Sequence, residues 1–340
     1  MGYKVALVGA TGMVGREFIK TLEERRFPID EITFYASERS SGRKLLFQGI
    51  QHSVREIAPD SFQHVDIAFF ATESGISRNL APVAVRSGAV VCDDSSAFRM
   101  DASVPLVIPE VNPEDIRWHK GILSNANCST IQMVVALSPL HKINPIKRII
   151  VATYQATSGW GQAAMEELNR QAGQVLAGKP ADIKIFPHQI AFNVLPEIDS
   201  AMDTGDTKEE WKMAAETHKI LHDDSIAISA SCVRVPVLVG HSEAVWLEFA
   251  NPMSPEEARE ILSHAAGVKV MDDIAAHLYP EPWMAAGKDD VYVGRIRKDT
   301  SHANGLVMWI VSDNLRKGSA LNTVQIAEEM IKRNWLHPGG

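Results

Sequence analysis

Tyr3-Lys4-Val5-Ala6-Leu7-Val8-Gly9-Ala10-Thr11-Gly12-Met13-Val14-Gly15 opens with a β-rich run, passes through a glycine-punctuated turn and enters an amphipathic helical pattern over residues 14–25. The glycines match the GxxGxxG variant of the dinucleotide fingerprint. They permit a tight turn, a close backbone approach to pyrophosphate and helix-on-strand packing, with the phosphates at the helix N-terminus. A glycine triplet alone also serves a merely tight turn; its place between a β run and a helix gives it weight. Gly9, Thr11, Gly12, Met13 and Val14 are therefore the candidate phosphate cradle. Further β runs at 31–35, 66–70 and 89–92, with a helical pattern at 77–86, predict βαβ units and a doubly wound parallel sheet of Rossmann type.

Beyond residue 128 the pattern changes. A helix is expected over 129–141, a strand over 148–154 and a helix over 162–176. Long β runs follow at 226–233, 244–249, 291–296 and 306–311, and a final helical pattern spans 319–333. This half predicts an α+β domain with a mixed or antiparallel sheet, and the last helix is expected to return to the first domain. Val104-Pro105-Leu106-Val107-Ile108-Pro109 reads as an extended passage toward residue 128, and 178–180 and 202–207 as surface loops.

At 340 residues, 45% hydrophobic and 22% charged, the chain has room for two sizeable cores in an ordinary globular composition. A net charge of −8 with a pI near 5.9 argues against nucleic acid and toward small polar substrates. Cys92, Cys128 and Cys232 are odd in number and widely spaced, which suits neither a disulfide framework nor a metal site and fits a reducing cytoplasm. Neither a secretory leader nor a membrane span is expected.

Asn127-Cys128-Ser129-Thr130 puts a thiol at the start of an apolar helix pattern, where free N–H groups and the helix dipole favour thiolate. The alternative is a buried apolar cysteine. A thiol nucleophile in a nucleotide-binding chain suggests a thioester or thiohemiacetal that exchanges hydride with a nicotinamide. His241, in Gly240-His241-Ser242-Glu243, is the best of twelve histidines for the proton shuttle. Arg234 ends the preceding β run. If the two runs pair as a hairpin, Arg234 and His241 converge as carboxylate clamp and acid/base; otherwise they are a surface arginine and a structurally satisfied histidine. Gln155, at the end of the 148–154 strand, suits a substrate-orienting amide or ordinary loop polarity. Glu209 and Lys212 share the polar face of a helix whose apolar side is Trp211, Ala214, Ala215 and Leu221, a pattern usually solvated. Arg99 is an anion ligand or a loop charge.

After the second β run, Ser37, Arg39 and Ser40 suit the 2′-phosphate of NADP, since guanidinium pairs with phosphate through a charge-assisted fork. Glu38, turned to the ribose instead, would favour NAD.

Taken in order, these motifs, together with Ser95-Ser96-Ala97-Phe98-Arg99, Tyr154-Gln155-Ala156-Thr157-Ser158-Gly159, Arg234-Val235-Pro236 and Asp313-Asn314-Leu315-Arg316-Lys317-Gly318, closely resemble the aspartate-semialdehyde dehydrogenase family over nearly the whole chain. The resemblance implies that Cys128 attacks the acyl phosphate of L-aspartyl 4-phosphate and that NADPH reduces the thioester to L-aspartate 4-semialdehyde. His241 would be acid/base and Gln155 would orient the acyl group. Arg234 would hold the α-carboxylate, Glu209 the amino group, and Arg99, Lys212 and Asn127 the phosphate. Thr72, Ser158, Gly159 and Asn314 join the cofactor set. The implied domains are an NADP-binding domain, 1–128 with 317–340, and a catalytic and dimerisation domain, 129–316. A cytoplasmic homodimer, or a dimer of dimers, serving lysine, methionine and threonine synthesis completes the expectation, with no metal. Thr157 and Trp160 depart mildly from the smaller or more apolar neighbours found in many relatives. The motif pattern looks nearer to the branch of Gram-positive and some Gram-negative bacteria than to the enterobacterial one. Two alternatives stay open: N-acetyl-glutamyl-phosphate reductase, whose substrate lacks a free ammonium, and a silent NADP-binding relative.

Overall fold

A computed structural model describes residues 2–336. The chain divides into two compact units, Met1–Ala126 with Ser319–Gly340, and Asn127–Gly318.

The first unit is built on a seven-stranded sheet in the order Arg55–Glu56, Ile29–Ala36, Tyr3–Val8, Ile67–Phe70, Val90–Asp93, Ile122–Asn125, Leu106–Val107. Every pairing is parallel. Helices on both faces bury alternate residues of the strands. Val5 and Leu7 join Phe18, Leu22, Phe69, Val324 and Met330 in one core, while Ala6 and Val8 join Phe62, Phe70, Ala81 and Ala84 in the other. Two-sided burial explains why Tyr3–Val8 carries an almost continuous apolar run rather than an alternation. Strand order reverses beside Tyr3–Val8, and ligands of open α/β sheets bind at such a switch point.

Two features of this unit differ from expectation. Val104–Pro109 is not a passage toward the cysteine, because Leu106–Val107 is the edge strand and Ile122–Asn125, unforeseen, is its neighbour. A small hairpin, Lys44–Phe47 with Ile50–Ser53, turns through Gln48 and Gly49, both at positive φ (49° and 78°). Its four-residue strands are too short and too exposed to give a hydrophobic period.

The second unit holds a six-stranded mixed sheet in the order Ala227–Arg234, Ile146–Gln155, His241–Phe249, Gly305–Ser312, Val291–Lys298, Val268–Val270. The expected hairpin of the 226–233 and 244–249 runs does not form. Ile146–Gln155 lies between them, parallel to the first and antiparallel to the second. The strands Ala227–Arg234 and His241–Phe249 are joined by only six residues, yet each pairs with the long strand between them and not with the other. This arrangement brings the C-terminal end of Ala227–Arg234, the C-terminal end of Ile146–Gln155 and the N-terminal end of His241–Phe249 to one edge. The helix Cys128–Ile143 is buried over most of its length against the sheet's inner face. The opposite face carries Ile150, Tyr154, Trp246 and Trp309, with Tyr154 39% exposed. Among the described residues no helix is long and apolar enough to cross a membrane, and no cluster of His, Cys, Asp or Glu could hold a metal.

Candidate active site

In the first unit the nucleotide loop has the geometry its glycines foretold. Gly9 sits at φ 85°, and a Cβ there would come within 2.1 Å of the Ala71 carbonyl; one at Gly15 would meet the Gly9 carbonyl at 2.2 Å. Gly12, by contrast, has only the Gly9 carbonyl at 3.4 Å and leaves room above the turn. The helix Met13–Glu24 begins with no side-chain cap, so its first N–H groups stay available to an anion. Ser37, Arg39 and Ser40 lie on and beside the 3-10 turn Glu38–Ser40, with Arg39 exposed, and the Thr11 hydroxyl reaches Ser40 Oγ at 3.3 Å. Thr72 follows Ile67–Phe70, bonded to Ser77 at 3.1 Å, with its methyl beside Gly9. Hydroxyls, a guanidinium and uncapped N–H groups at three neighbouring strand ends are the donors a dinucleotide phosphate requires. Arg99 also belongs to this unit, nearly buried and donating to the Asp94 carbonyl at 3.1 Å.

The second unit gathers most of the other candidates. Cys128 is the first residue of its helix, with Asn127 as N-cap and Sγ 3.8 Å from Asn127 Oδ1. Gly318 lets the chain pass over the cysteine, since a Cβ there would lie 2.8 Å from Cys128 Cβ. Glu209 Oε1 accepts from Asn127 Nδ2 (2.8 Å), Ser129 Oγ (2.9 Å) and Gln155 Nε2 (3.0 Å), while Oε2 pairs with Lys212 at 2.8 Å. Burial alone would push the Glu209 carboxyl up, but the Lys212 ammonium and these donors hold it down, at about 2. The expected solvated face of this helix is thus its buried one. Glu209 is 4% exposed and Trp211 is 39% exposed, because the face the helix buries is the one carrying Met213 and Ile220, and Glu209 lies on it with its charge paired.

Arg234 and His241 meet without the hairpin. Arg234 stands opposite Gln155 in the ladder and donates Nη1 to the Ala156 carbonyl at 2.7 Å. The Ala156 N–H donates to His241 Nδ1 at 3.0 Å. A backbone N–H can only donate, so the neutral imidazole carries its proton on Nε2, which no described protein group accepts. Burial foremost, then the Arg234 guanidinium, holds His241 far below its usual value, at about 3, against the attraction of Glu209. Gly159 fits against both: a Cβ there would lie 2.8 Å from Arg234 Nη1 and 3.3 Å from His241 Nε2. Ser158 and Asn314 bond to each other at 2.9–3.0 Å, and Asn314 Oδ1 accepts the Gly240 N–H at 2.9 Å.

Three buried groups escaped sequence reasoning. Glu216 Oε2 accepts the Asn127 backbone N–H at 2.6 Å, and its signal was the seven-residue spacing from Glu209 on one helix face. Thr153 donates to Gln155 Oε1 at 3.0 Å, which turns the Gln155 amide nitrogen toward Glu209. Glu243, two residues after His241 on the inward face, is fully buried. Burial pushes its carboxyl well above the usual range, against the pull of the Gln132 amide. A folded-state value raised above the unfolded 4.5 stabilises fully below that pH, and the contribution is lost as pH rises toward the folded value. Glu243→Gln, neutral at every pH, is therefore expected to melt about 3 °C or more above wild type at pH 8, with no such gain at pH 4. Equal melting shifts at both pH values, read by calorimetry, would count against a protonated Glu243.

Comparison with known proteins meets this geometry. A family model described as the semialdehyde dehydrogenase NAD binding domain matches residues 4–119, and one described as the semialdehyde dehydrogenase dimerisation domain matches residues 137–317. A parallel nucleotide-binding sheet followed by a cysteine-bearing mixed-sheet domain defines a two-domain semialdehyde dehydrogenase. Aspartate-semialdehyde dehydrogenase of Aquifex aeolicus is 54% identical over 99% of this chain and 100% of its own length. The crystal structure of aspartate semialdehyde dehydrogenase II from Vibrio cholerae complexed with ASA superposes with a TM-score of 0.95 at 44% identity, covering 98% of this chain and 99% of the other. The Candida albicans enzyme, solved with NADP, gives 0.77 at 26% identity, covering 98% and 100%. The chain belongs to the aspartate-semialdehyde dehydrogenase family.

Proposed function

We propose that this chain catalyses the reversible, NADPH-dependent reductive dephosphorylation of L-aspartyl 4-phosphate to L-aspartate 4-semialdehyde. It would do so in the cytoplasm, as a step toward lysine, methionine, threonine, diaminopimelate and isoleucine. The observation that carries this reading is the meeting of Asn127 and Cys128, Gln155, Glu209, Arg234 and His241 within one domain, each from a different element. Cys128 Sγ attacks the acyl carbon, the phosphate leaves with the bonding pair, and a thioester remains on the cysteine. Gln155, turned by Thr153 and Glu209, orients the acyl oxygen. His241, neutral with its proton on Nε2, offers that proton to the oxygen on which charge develops. Arg234 takes the α-carboxylate and Glu209 supplies negative charge for the amino group. Arg99, Lys212 and Asn127 serve the phosphate. NADPH, when bound, supplies the hydride that releases the aldehyde and restores the thiolate. Gly9, Thr11, Gly12, Met13, Val14 and Thr72 would hold its pyrophosphate side, Ser37, Arg39 and Ser40 its 2′-phosphate, and Ser158, Gly159 and Asn314 its nicotinamide side. The half-buried sheet face of Ile150, Tyr154, Trp246 and Trp309 supports a homodimer, as does the dimerisation-domain match.

The test is formation of reduced nicotinamide from L-aspartate semialdehyde, with and without phosphate, using NADP and NAD. Phosphate-dependent turnover that prefers NADP is expected. Arg39→Ala should raise KM for NADP about tenfold or more and leave KM for NAD unchanged. Turnover of N-acetyl-glutamate semialdehyde alone would move the chain to the acylated-substrate reductases.

A further inference from the structure

Glu167 is a carboxylate to which neither motif nor comparison gives a role, and it is fully buried on the helix Gln162–Leu176. Its Oε2 accepts the N–H groups of Lys184 (3.0 Å) and Ile185 (2.8 Å) and pairs with Arg170 at 3.3 Å. Its Oε1 accepts the Phe186 N–H at 3.3 Å and Gln171 Nε2 at 3.1 Å. Four and seven residues further along the same helix face, Gln171 Oε1 accepts the N–H groups of Ile190 (2.9 Å) and Ala191 (3.2 Å), and Gln174 Oε1 that of Asp182 (2.9 Å). One ladder of side-chain acceptors thus receives six backbone N–H groups between residues 182 and 191.

That segment needs the support. Residues 182–199 form no helix and no strand beyond the single bridge at Leu195. Phe192 and Asp199 stand in the left-handed region at φ 58° and 71°, a conformation that costs energy for residues with a Cβ and persists only where the surroundings fix it. Beyond the ladder the segment meets two of the cations assigned to the substrate. Leu195 N–H donates to the Arg234 carbonyl at 2.9 Å and Arg234 N–H to the Leu195 carbonyl at 2.8 Å, so the Arg234 backbone lies between Gln155 and Leu195. Asp199 Oδ2 pairs with Lys212 Nζ at 2.9 Å.

We propose that Glu167 is a positioning residue for the substrate's anionic groups: it fixes the segment that holds Arg234 and Lys212 in place. This rests on the function proposed above. The test is Glu167→Gln, whose amide has one acceptor oxygen in place of two and turns N–H groups toward backbone donors. KM for L-aspartate semialdehyde and KM for phosphate are expected to rise about tenfold, with kcat and KM for NADP within about threefold of wild type. The aldehyde 3-aminopropanal lacks the α-carboxylate and makes no use of Arg234. Its kcat/KM, at saturating phosphate and NADP, should change by less than about threefold. Gln171→Met, which severs the Ile190 and Ala191 contacts and leaves the carboxylate, gives the same split at smaller amplitude should Glu167→Gln fail to fold. Equal losses on the two aldehydes, or a lowered melting temperature with unchanged KM values, would overturn the proposal, since Glu167 would then serve the fold alone. A wild type inactive on L-aspartate semialdehyde would instead overturn the function itself.

Discussion

Cys128→Ala is expected to lower kcat by about ten-thousandfold or more, with the fold and nicotinamide-cofactor binding intact. Without a sulfur there is no acceptor for the acyl group, and the neighbours cannot substitute. Ser129 is bonded to Glu209, while Cys92 and Cys232 are buried. Burial pushes the Cys92 thiol up to about 12 and that of Cys232 higher still, so neither supplies thiolate at neutral pH. Mass spectrometry of enzyme quenched during turnover should find the acyl adduct on the wild type only. Turnover by the alanine variant at a tenth of the wild-type rate would show that the acyl group never passes through the cysteine.

His241→Asn should cost about a hundred- to ten-thousandfold in kcat, with KM for the aldehyde much less affected. Burial holds the imidazole neutral in the folded protein down to about pH 3, so the wild-type rate should show no acid limb near pH 6 from its titration. Stability carries a second signature. A histidine whose folded value is depressed stabilises fully above its unfolded value of 6.5, and the contribution is lost as pH falls toward 3, because the unfolded chain then takes up a proton that the folded chain refuses. The asparagine variant should therefore lose less melting temperature than wild type between pH 7 and pH 4. Unchanged kcat would remove His241 from the chemistry, and an unchanged pH slope would mean that its imidazole is solvated.

Much of this was legible in the primary structure. The nucleotide loop could be read because its glycines answer to backbone clashes that any side chain would create, and the first sheet because strands buried on both faces leave continuous apolar runs. Helix 162–176 was read to its ends. The partnership of Arg234 and His241 was foreseen, but through a hairpin that does not exist, because pairing order within a mixed sheet is decided by long-range contacts that leave no local period. The helical pattern alone reads Glu209 and Lys212 as a solvated pair, and only the resemblance gives them to the substrate, because amphipathicity counts apolar residues and takes no account of a buried ion pair. Glu216 and Thr153 were hidden for a related reason: each reads as an ordinary solvated polar group until its partner, 89 residues away for Glu216 and 2 for Thr153, is known.

The two grips on Asn127 set a rule for how this chain can vary. Glu209 holds its side chain and Glu216 its backbone, from the same face of Lys208–Leu221. The helix thereby acts as a gauge, its two marks a fixed seven residues apart, against which the start of the cysteine helix is set. Inserting or deleting a single residue between the marks would rotate one of them by about 100° and leave the cysteine helix without half of its seat.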